Sequence, residues 1–247
     1  AISVPENTTA VTTLTASDPD GDTLTYSILG GADQAHFVLD AASGRLSFVS
    51  APDFEQPADA DADNVYEVTV QVSDGLLTAT QSLLVTVSDV AEPPATISLS
   101  GTSLPENAGA NFPIGTLSGT DPDPGQSATL TFSLPAGQAD NDLFVLAGTT
   151  LQARHSFDYE VRSSYTVVVR ATDVTDLSRD ETFLISVTDV NEAPAITSHG
   201  GAATAAISVP ENTTAVTTLT ASDPDGDTLT YSILGGADQA HFVLDAA

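Results

Sequence analysis

The chain has 247 residues and a formal net charge of -29, from 34 Asp and Glu against 5 Lys and Arg. Such a chain repels nucleic-acid phosphates and anionic membrane surfaces, which excludes both as partners. Hydrophobic residues make up 41% of it, which excludes a disordered acidic segment, and the lack of Cys excludes disulfides and thiolate metal sites.

The predicted elements, in chain order, are short β-strands. Apolar and β-branched residues alternate in VTTLTA (11–16), TLTYSI (23–28), YEVTVQV (66–72) and SLLVTV (82–87). Turn sequences such as DPDGD and LGGAD separate them. Counterparts follow at 129–134, 164–171 and 182–188. We therefore predict an all-β fold of tandem immunoglobulin-like, Greek-key β-sandwiches in a linear array.

Internal repeats set the predicted domain boundaries. Residues 206–247 are identical to residues 1–42, and the PEN motif begins at Pro5, Pro105 and Pro210. We predict four segments: domain 1 (1–94), domain 2 (95–195), a flexible linker (196–205) and the N-terminal half of a third domain (206–247). We expect the chain to be a window of a longer array; the alternative is that another chain completes the half-domain.

Recurrent carboxylates indicate a calcium protein, since Ca²⁺ takes six to eight oxygen ligands. A single EF-hand loop is excluded, because DPDGDTLTYSIL has Gly at its fourth position and Leu29 where the final Glu belongs. We expect instead sites at which several loops converge.

The order of the motifs resembles tandem cadherin repeats of a bacterial, calcium-binding type. PEN follows the first strand, D-x-D precedes a Y-S-I or F-S-L strand, and D-[FY]-E follows the middle hairpin. The repeat then ends in V-x-D and an acidic linker. The resemblance implies cadherin-like domains with Ca²⁺ between successive domains, bound by the base of one and the top of the next.

The resemblance also implies the ligands of these ions. The first junction would use Glu6, Asp53, Glu55, Asp89, the Ala91 carbonyl, Glu92, Asp121, Asp123 and Asp173. The second would use Glu106, Asp158, Glu160, Asp189, Asn191, Glu192, Asp223 and Asp225. A preceding domain would be faced by Asp18, Asp20 and Asp74, and a site farther along the array would include Glu211.

Both linkers depart from the Asn-Asp-Asn of the family. The first has Ala91-Glu92-Pro93 and the second Asn191-Glu192-Ala193, so we expect fewer ions per junction. The second linker is also longer and contains Gly200 and Gly201, which predicts a hinge.

Other acidic and polar motifs carry weaker predictions. Asp59, Asp61 and Asp63 lie in an insertion absent from domain 2 and are interpreted as a solvated loop. Asn7-Thr8-Thr9 fits a glycosylation sequon. Ser, His and acidic residues form no recognisable nucleophile or acid–base arrangement, so we do not predict an enzyme.

The leading hypothesis is an extracellular or secreted structural or adhesive rod, stiffened by Ca²⁺ between neighbouring repeats. One alternative is a module that binds cell-surface carbohydrate or a like domain. Another is a filament subunit, in which residues 206–247 replace the identical segment in the first domain of another molecule. No span of the chain is apolar enough to cross a membrane.

Overall fold

A computed structural model describes residues 1–245. Within that range, regular structure consists of β-strands and short 3₁₀ turns, which confirms the all-β prediction. The same residues contain no helix long and apolar enough to cross a lipid bilayer.

The strands of the first repeat form two sheets. Their bounds are β1 (Ile2–Pro5), β2 (Ala10–Thr13), β3 (Thr25–Gly30), β4 (Phe37–Leu39), β5 (Arg45–Phe48), β6 (Val65–Ser73) and β7 (Thr78–Ser88). One sheet has the order β1-β7-β6-β3 and the other the order β2-β5-β4. The first strand lies parallel to the last, with Ile2 opposite Val85, while β6 and β7 are antiparallel.

The core of the first repeat comes from the inward positions of these alternating strands. Leu46 and Val85 are fully buried, and the rings of Phe37, Phe48 and Tyr66 pack against one another there. Since alternate residues of a strand face opposite sides, the period-2 pattern of β6 gives one buried side chain at every second position. The aromatic residues of this repeat therefore serve mainly as core.

The second repeat has the same strand pattern preceded by one additional strand. The strands are β8 (Thr96–Leu99), β9 (Ser103–Pro105), β10 (Pro113–Thr120), β11 (Thr131–Ser133), β12 (Phe144–Ala147), β13 (Thr150–Ala153), β14 (Ser164–Thr172) and β15 (Ser178–Thr188). They form sheets of order β12-β13-β10-β8 and β11-β14-β15-β9. As in the first repeat, the strand at PEN runs parallel to the last one, with Ser103 opposite Ser186.

The chain divides into two compact units. The first comprises Ala1–Ile97, Gly119–Phe132 and Arg170–Asp180, and it contains the core just described. The second comprises Ser98–Ser118, Ser133–Val169 and the residues from Glu181 onward. Its buried side chains include Leu151, Val167 and Ile185. These units cut across the boundary between residues 94 and 95, so the domain limits drawn from the repeats stay a prediction.

The second copy of the 42-residue segment differs from the first. Its only described strand is β17 (Ala221–Ser222), which pairs with β16 (Ala195–Ile196). Val4 and Phe37 are 2% and 6% exposed, whereas their counterparts Val209 and Phe242 are 47% and 50% exposed. In the first copy β5, β6 and β7 cover these side chains, whereas among the described residues the second copy pairs only with β16.

Candidate metal centres

A buried glutamate ties together the loops of the first acidic cluster. Glu6 follows β1 directly and is only 2% exposed. The backbone N–H groups of Phe54 and Val90 each donate to one of its carboxylate oxygens, at 2.8 Å. The D-F-E loop and the acidic linker are thereby held on either side of one carboxylate.

The same arrangement recurs in the second repeat. Glu106 is 2% exposed, and its two oxygens accept hydrogen bonds of 2.8 Å from the N–H groups of Tyr159 and Val190. Glu6 and Glu106 thus share a structural role, which is to join the D-[FY]-E loop to the linker.

Eight carboxylates were predicted for the first cluster, and seven of them form three overlapping groups. Within each group the oxygens lie within 4.8 Å of one another: Glu6, Asp53 and Glu55; Glu55, Asp89 and Asp123; Asp121, Asp123 and Asp173. The eighth, Glu92, is joined to the others because its N–H donates to Asp123 Oδ2 at 3.2 Å. All eight belong to the first compact unit.

The second cluster has the same plan. Oxygens of Glu106, Glu160, Asp189 and Asp225 lie within 4.8 Å of one another. The Glu192 N–H donates to Asp225 Oδ2 at 2.7 Å, which repeats the Glu92 contact. All of these residues belong to the second compact unit.

Unpaired oxygens show that the residues fit a cation. Nine buried side-chain polar atoms lack a hydrogen-bond partner among the described residues, and six of them are predicted ligands. These six are Glu55 Oε1, Glu92 Oε2, Asp121 Oδ2, Asp173 Oδ2, Glu192 Oε2 and Asp225 Oδ1. A buried carboxylate oxygen without a partner is costly, and a hard cation removes that cost.

The electrostatics of the clusters agree with this fit. Burial raises the pKa of Glu55 to about 7, and the negative charges of Glu6, Glu92 and Asp89 add to the shift. Loss of water, followed by repulsion between carboxylates, also raises the pKa of six further predicted ligands: Asp89, Glu92, Asp121, Glu160, Asp189 and Glu192. Without a cation, these carboxylates repel one another and favour protonation.

The arginine ion pairs lie elsewhere. Arg162 pairs with Asp140 at 2.7 Å, and Arg170 pairs with Asp180 at the same distance. Both partners are carboxylates outside the predicted ligand sets. Two of the five basic side chains are thus held away from the acidic clusters.

The remaining predicted ligands have local contacts. The N–H of Asp20 donates to Asp18 Oδ1, and the N–H groups of Leu76 and Leu77 donate to Asp74 Oδ1. Asp18 and Asp74 therefore accept hydrogen bonds within their own turns. Ala91, Asp158 and Glu211 are exposed, and Asn191 Nδ2 donates to the carbonyl of Glu192. The role of Asn191 as a side-chain ligand therefore stays a prediction.

The structure also places residues that the sequence interpretation missed. The side-chain amide of Asn7 donates to Glu92 Oε1, and that of Asn107 donates to Glu192 Oε1. Their only sequence signal was the repeated Asn of PEN.

The interpretation of Asp59, Asp61 and Asp63 as a solvated loop is corrected for Asp59. Oxygens of the three aspartates lie within 4.8 Å of one another. Asp59 is buried, with only 6% of it exposed. It is buried because it accepts hydrogen bonds from the N–H groups of Asp63 and Asn64 within its own loop.

Comparison with known proteins supports the family resemblance that the motif order predicted. The family model described as "Cadherin domain" matches residues 1–88 and 101–188. Protocadherin-16 of Homo sapiens is 32% identical over 205 residues, an alignment that covers 78% of this chain and 6% of that protein. Protocadherin gamma-A4 of Homo sapiens is 31% identical over 257 residues, covering 94% of this chain and 25% of that protein. The chain therefore spans a quarter or less of these relatives.

Solved structures share the fold. The crystal structure of the protocadherin GammaB4 extracellular domain aligns with a TM-score of 0.58 at 23% identity, covering 99% of this chain and 41% of that one. At this level of identity the likeness is one of fold: tandem sandwiches of the same kind.

Proposed function

Because the chain belongs to the cadherin family, we propose that it is part of an extracellular adhesive array whose acidic clusters bind Ca²⁺ and stiffen the junctions between repeats. Family membership confirms the predicted resemblance to tandem cadherin repeats and the prediction that the chain is not an enzyme. The bacterial origin, the secreted location and the rod-like role stay proposals.

The observation that carries the proposal is the overlap of the three carboxylate groups in the first cluster. Glu55 and Asp123 each belong to two groups, so one side chain can contact two ions. Glu55, Asp121 and Asp173, which have unpaired oxygens, are members of these same groups. Bound Ca²⁺ would neutralise this charge and cross-link the loops that carry it.

The protein's own hydrogen bonds prepare the site for a cation. Glu6 holds two loops through backbone N–H groups, and Asp123 accepts the N–H of Glu92. These contacts use some carboxylate oxygens and leave others without partners. Calcium would therefore meet a largely formed set of ligands, and its main effect would be on the loops that converge on Glu6 and Asp123.

The test is calcium titration of the full chain by isothermal titration calorimetry, together with small-angle X-ray scattering in calcium and in EDTA. We expect the chain to bind calcium. The scattering should show a particle that is more extended and less variable in shape in calcium than in EDTA. Asp123→Asn keeps the shape of a residue in two groups but removes a charge, and it should weaken binding about tenfold or more. The control is Glu67→Gln, which changes an exposed residue outside the clusters.

Two results would overturn the proposal. One is the absence of calcium binding at millimolar concentration, and the other is identical scattering in calcium and EDTA.

A second candidate function, self-assembly, is favoured by the second copy of the repeated segment. Val209 and Phe242 are about half exposed, whereas Val4 and Phe37 are buried by β5, β6 and β7. Residues 206–245 could therefore replace the identical segment in another molecule. Sedimentation analysis over a range of concentrations should then show open-ended oligomers, and a monomer at every concentration would refute self-assembly.

A further inference from the structure

The asparagines of the first two PEN motifs each contact a carboxylate of the linker 85 residues later. Asn7 Nδ2 donates to Glu92 Oε1 at 2.6 Å, and Asn107 Nδ2 donates to Glu192 Oε1. The two pairs have the same separation in sequence, although the residue that follows each asparagine differs, Thr8 in one repeat and Ala108 in the other. The contact therefore recurs in both repeats.

The backbone of each asparagine is equally constrained. Asn7 has a φ of 60° and Asn107 a φ of 56°, a left-handed conformation that Asn tolerates better than other side-chain-bearing residues. The Asn7 N–H donates to the Pro52 carbonyl at 2.9 Å, and the Asn107 N–H donates to the Phe157 carbonyl at 3.0 Å. Since Asp53 and Asp158 follow those carbonyls directly, each asparagine ties a D-[FY]-E loop to a linker glutamate.

Only one oxygen of each linker glutamate is used in this way. Glu92 Oε2 and Glu192 Oε2 are buried and have no partner among the described residues. A neutral amide fixes the carboxylate without neutralising it, whereas an arginine in the same place would cancel its charge. The free oxygen therefore keeps its full capacity to bind a cation.

Fixing a glutamate matters because its long side chain has several rotatable bonds. A mobile glutamate loses rotamer freedom when it binds an ion, and that loss weakens binding. A glutamate already held by a hydrogen bond has lost much of this freedom beforehand.

We propose that Asn7 and Asn107 are positioning residues that orient Glu92 and Glu192 as cation ligands. The proposal rests on the calcium function proposed above and adds to it a hydrogen-bond donor that does not contact the ion. It also gives the Asn of the repeated PEN motif a role distinct from that of the Glu before it.

The test substitutes glycine for each asparagine in the full chain. Glycine adopts a positive φ readily and keeps the backbone N–H, so Asn7→Gly removes the side-chain amide with little backbone strain. The matched control is Asn212→Gly, which changes the same residue of the identical segment at a φ of 65°. The Asn212 side chain is exposed.

Two quantities are measured, the calcium affinity by isothermal titration calorimetry and the melting temperature in EDTA. We expect Asn7→Gly and Asn107→Gly each to weaken calcium binding about tenfold at one cluster, with the EDTA melting temperature unchanged. The control should bind calcium as the unsubstituted chain does.

The outcomes separate this inference from the proposed function. If the unsubstituted chain binds calcium and both glycine variants bind it equally well, the positioning role is refuted and the calcium function stands. The role is also refuted if the EDTA melting temperature falls in step with the affinity, since the asparagines would then be merely structural. An unsubstituted chain that binds no calcium refutes both.

Discussion

Replacing Glu6 with alanine should destabilise the first repeat even when no calcium is present. The side chain is 2% exposed and accepts two backbone hydrogen bonds of 2.8 Å, from Phe54 and Val90. A hydrogen bond to a charged group contributes about 1.5–3 kcal/mol, so the two together contribute about 3–6 kcal/mol. Their loss would also leave two backbone N–H groups without an acceptor.

An opposing effect reduces this figure. Oxygens of Asp53 and Glu55 lie within 4.8 Å of Glu6, and removing one of three carboxylates relieves their repulsion. In a solvated setting each such pair costs about 1 kcal/mol. Two such pairs involve Glu6, so the net loss in the free energy of unfolding in EDTA should be about 1–4 kcal/mol.

Urea denaturation followed by circular dichroism in EDTA measures this loss. Asp53→Ala is the matched control, because Asp53 belongs to the same group but is exposed, and within residues 1–245 its side chain accepts hydrogen bonds from Gln56 alone. It should change stability by less than about 1 kcal/mol. Glu6→Ala with unchanged or increased stability would refute the reasoning, since repulsion would then outweigh the two hydrogen bonds.

Two further predictions concern pH and burial. The pKa of Glu55 is raised to about 7 from 4.5, so the folded state holds this proton more tightly than the unfolded state. Its stabilising contribution to the metal-free fold is therefore complete below about pH 4.5 and lost as pH rises through 7. Glu55→Gln should flatten this dependence of stability on pH, as measured by melting curves in EDTA. An unchanged pH dependence in the variant would contradict the prediction. Val4→Ala removes two methyl groups from a side chain that is 2% exposed. It should lower the free energy of unfolding, measured by urea denaturation, by about 2 kcal/mol. Val209→Ala makes the same change in the identical segment, where the side chain is 47% exposed, and equal losses in the two variants would contradict the assignment of burial.

Local sequence pattern was sufficient for the long strands. The segments predicted at 66–72 and 82–87 correspond to β6 (Val65–Ser73) and β7 (Thr78–Ser88). The two strands are antiparallel neighbours whose sheet has one face on the core, and such strands show a clear period-2 alternation. The segment predicted at 11–16 forms a strand only to Thr13, because its pairing with β5 ends there.

The second copy shows what local pattern cannot supply. Its residues are identical to those of the first copy, so every propensity and turn signal is the same. Among residues 1–245, strands of the β1 and β3 type form only in the first copy, where β1 pairs with β7 and β3 pairs with β6. Strand formation in this fold depends on distant partners, and no property of the segment itself reveals whether they are present.

The family resemblance implied which carboxylates lie close together, and seven of the eight named for the first cluster do so, while their role as ligands stays a prediction. The side-chain contacts within the clusters could not be predicted. The bond from Asn7 to Glu92 depends on a backbone φ of 60° and on a side-chain rotamer, and neither leaves a mark in the sequence. The same holds for the burial of Asp59, which results from hydrogen bonds inside its own loop.

The parallel pairing of β1 with β7 has a consequence for the order of folding. Ile2 lies opposite Val85, so a repeat cannot complete its first sheet until nearly all of its residues have been synthesised. Residues 207–210 have the same sequence as β1 and could pair with the same edge of β7. Vectorial synthesis favours the correct partner because β1 and β7 emerge well before that second segment does. After denaturation both segments are present at once, so refolding from the complete chain should be more error-prone than folding during synthesis.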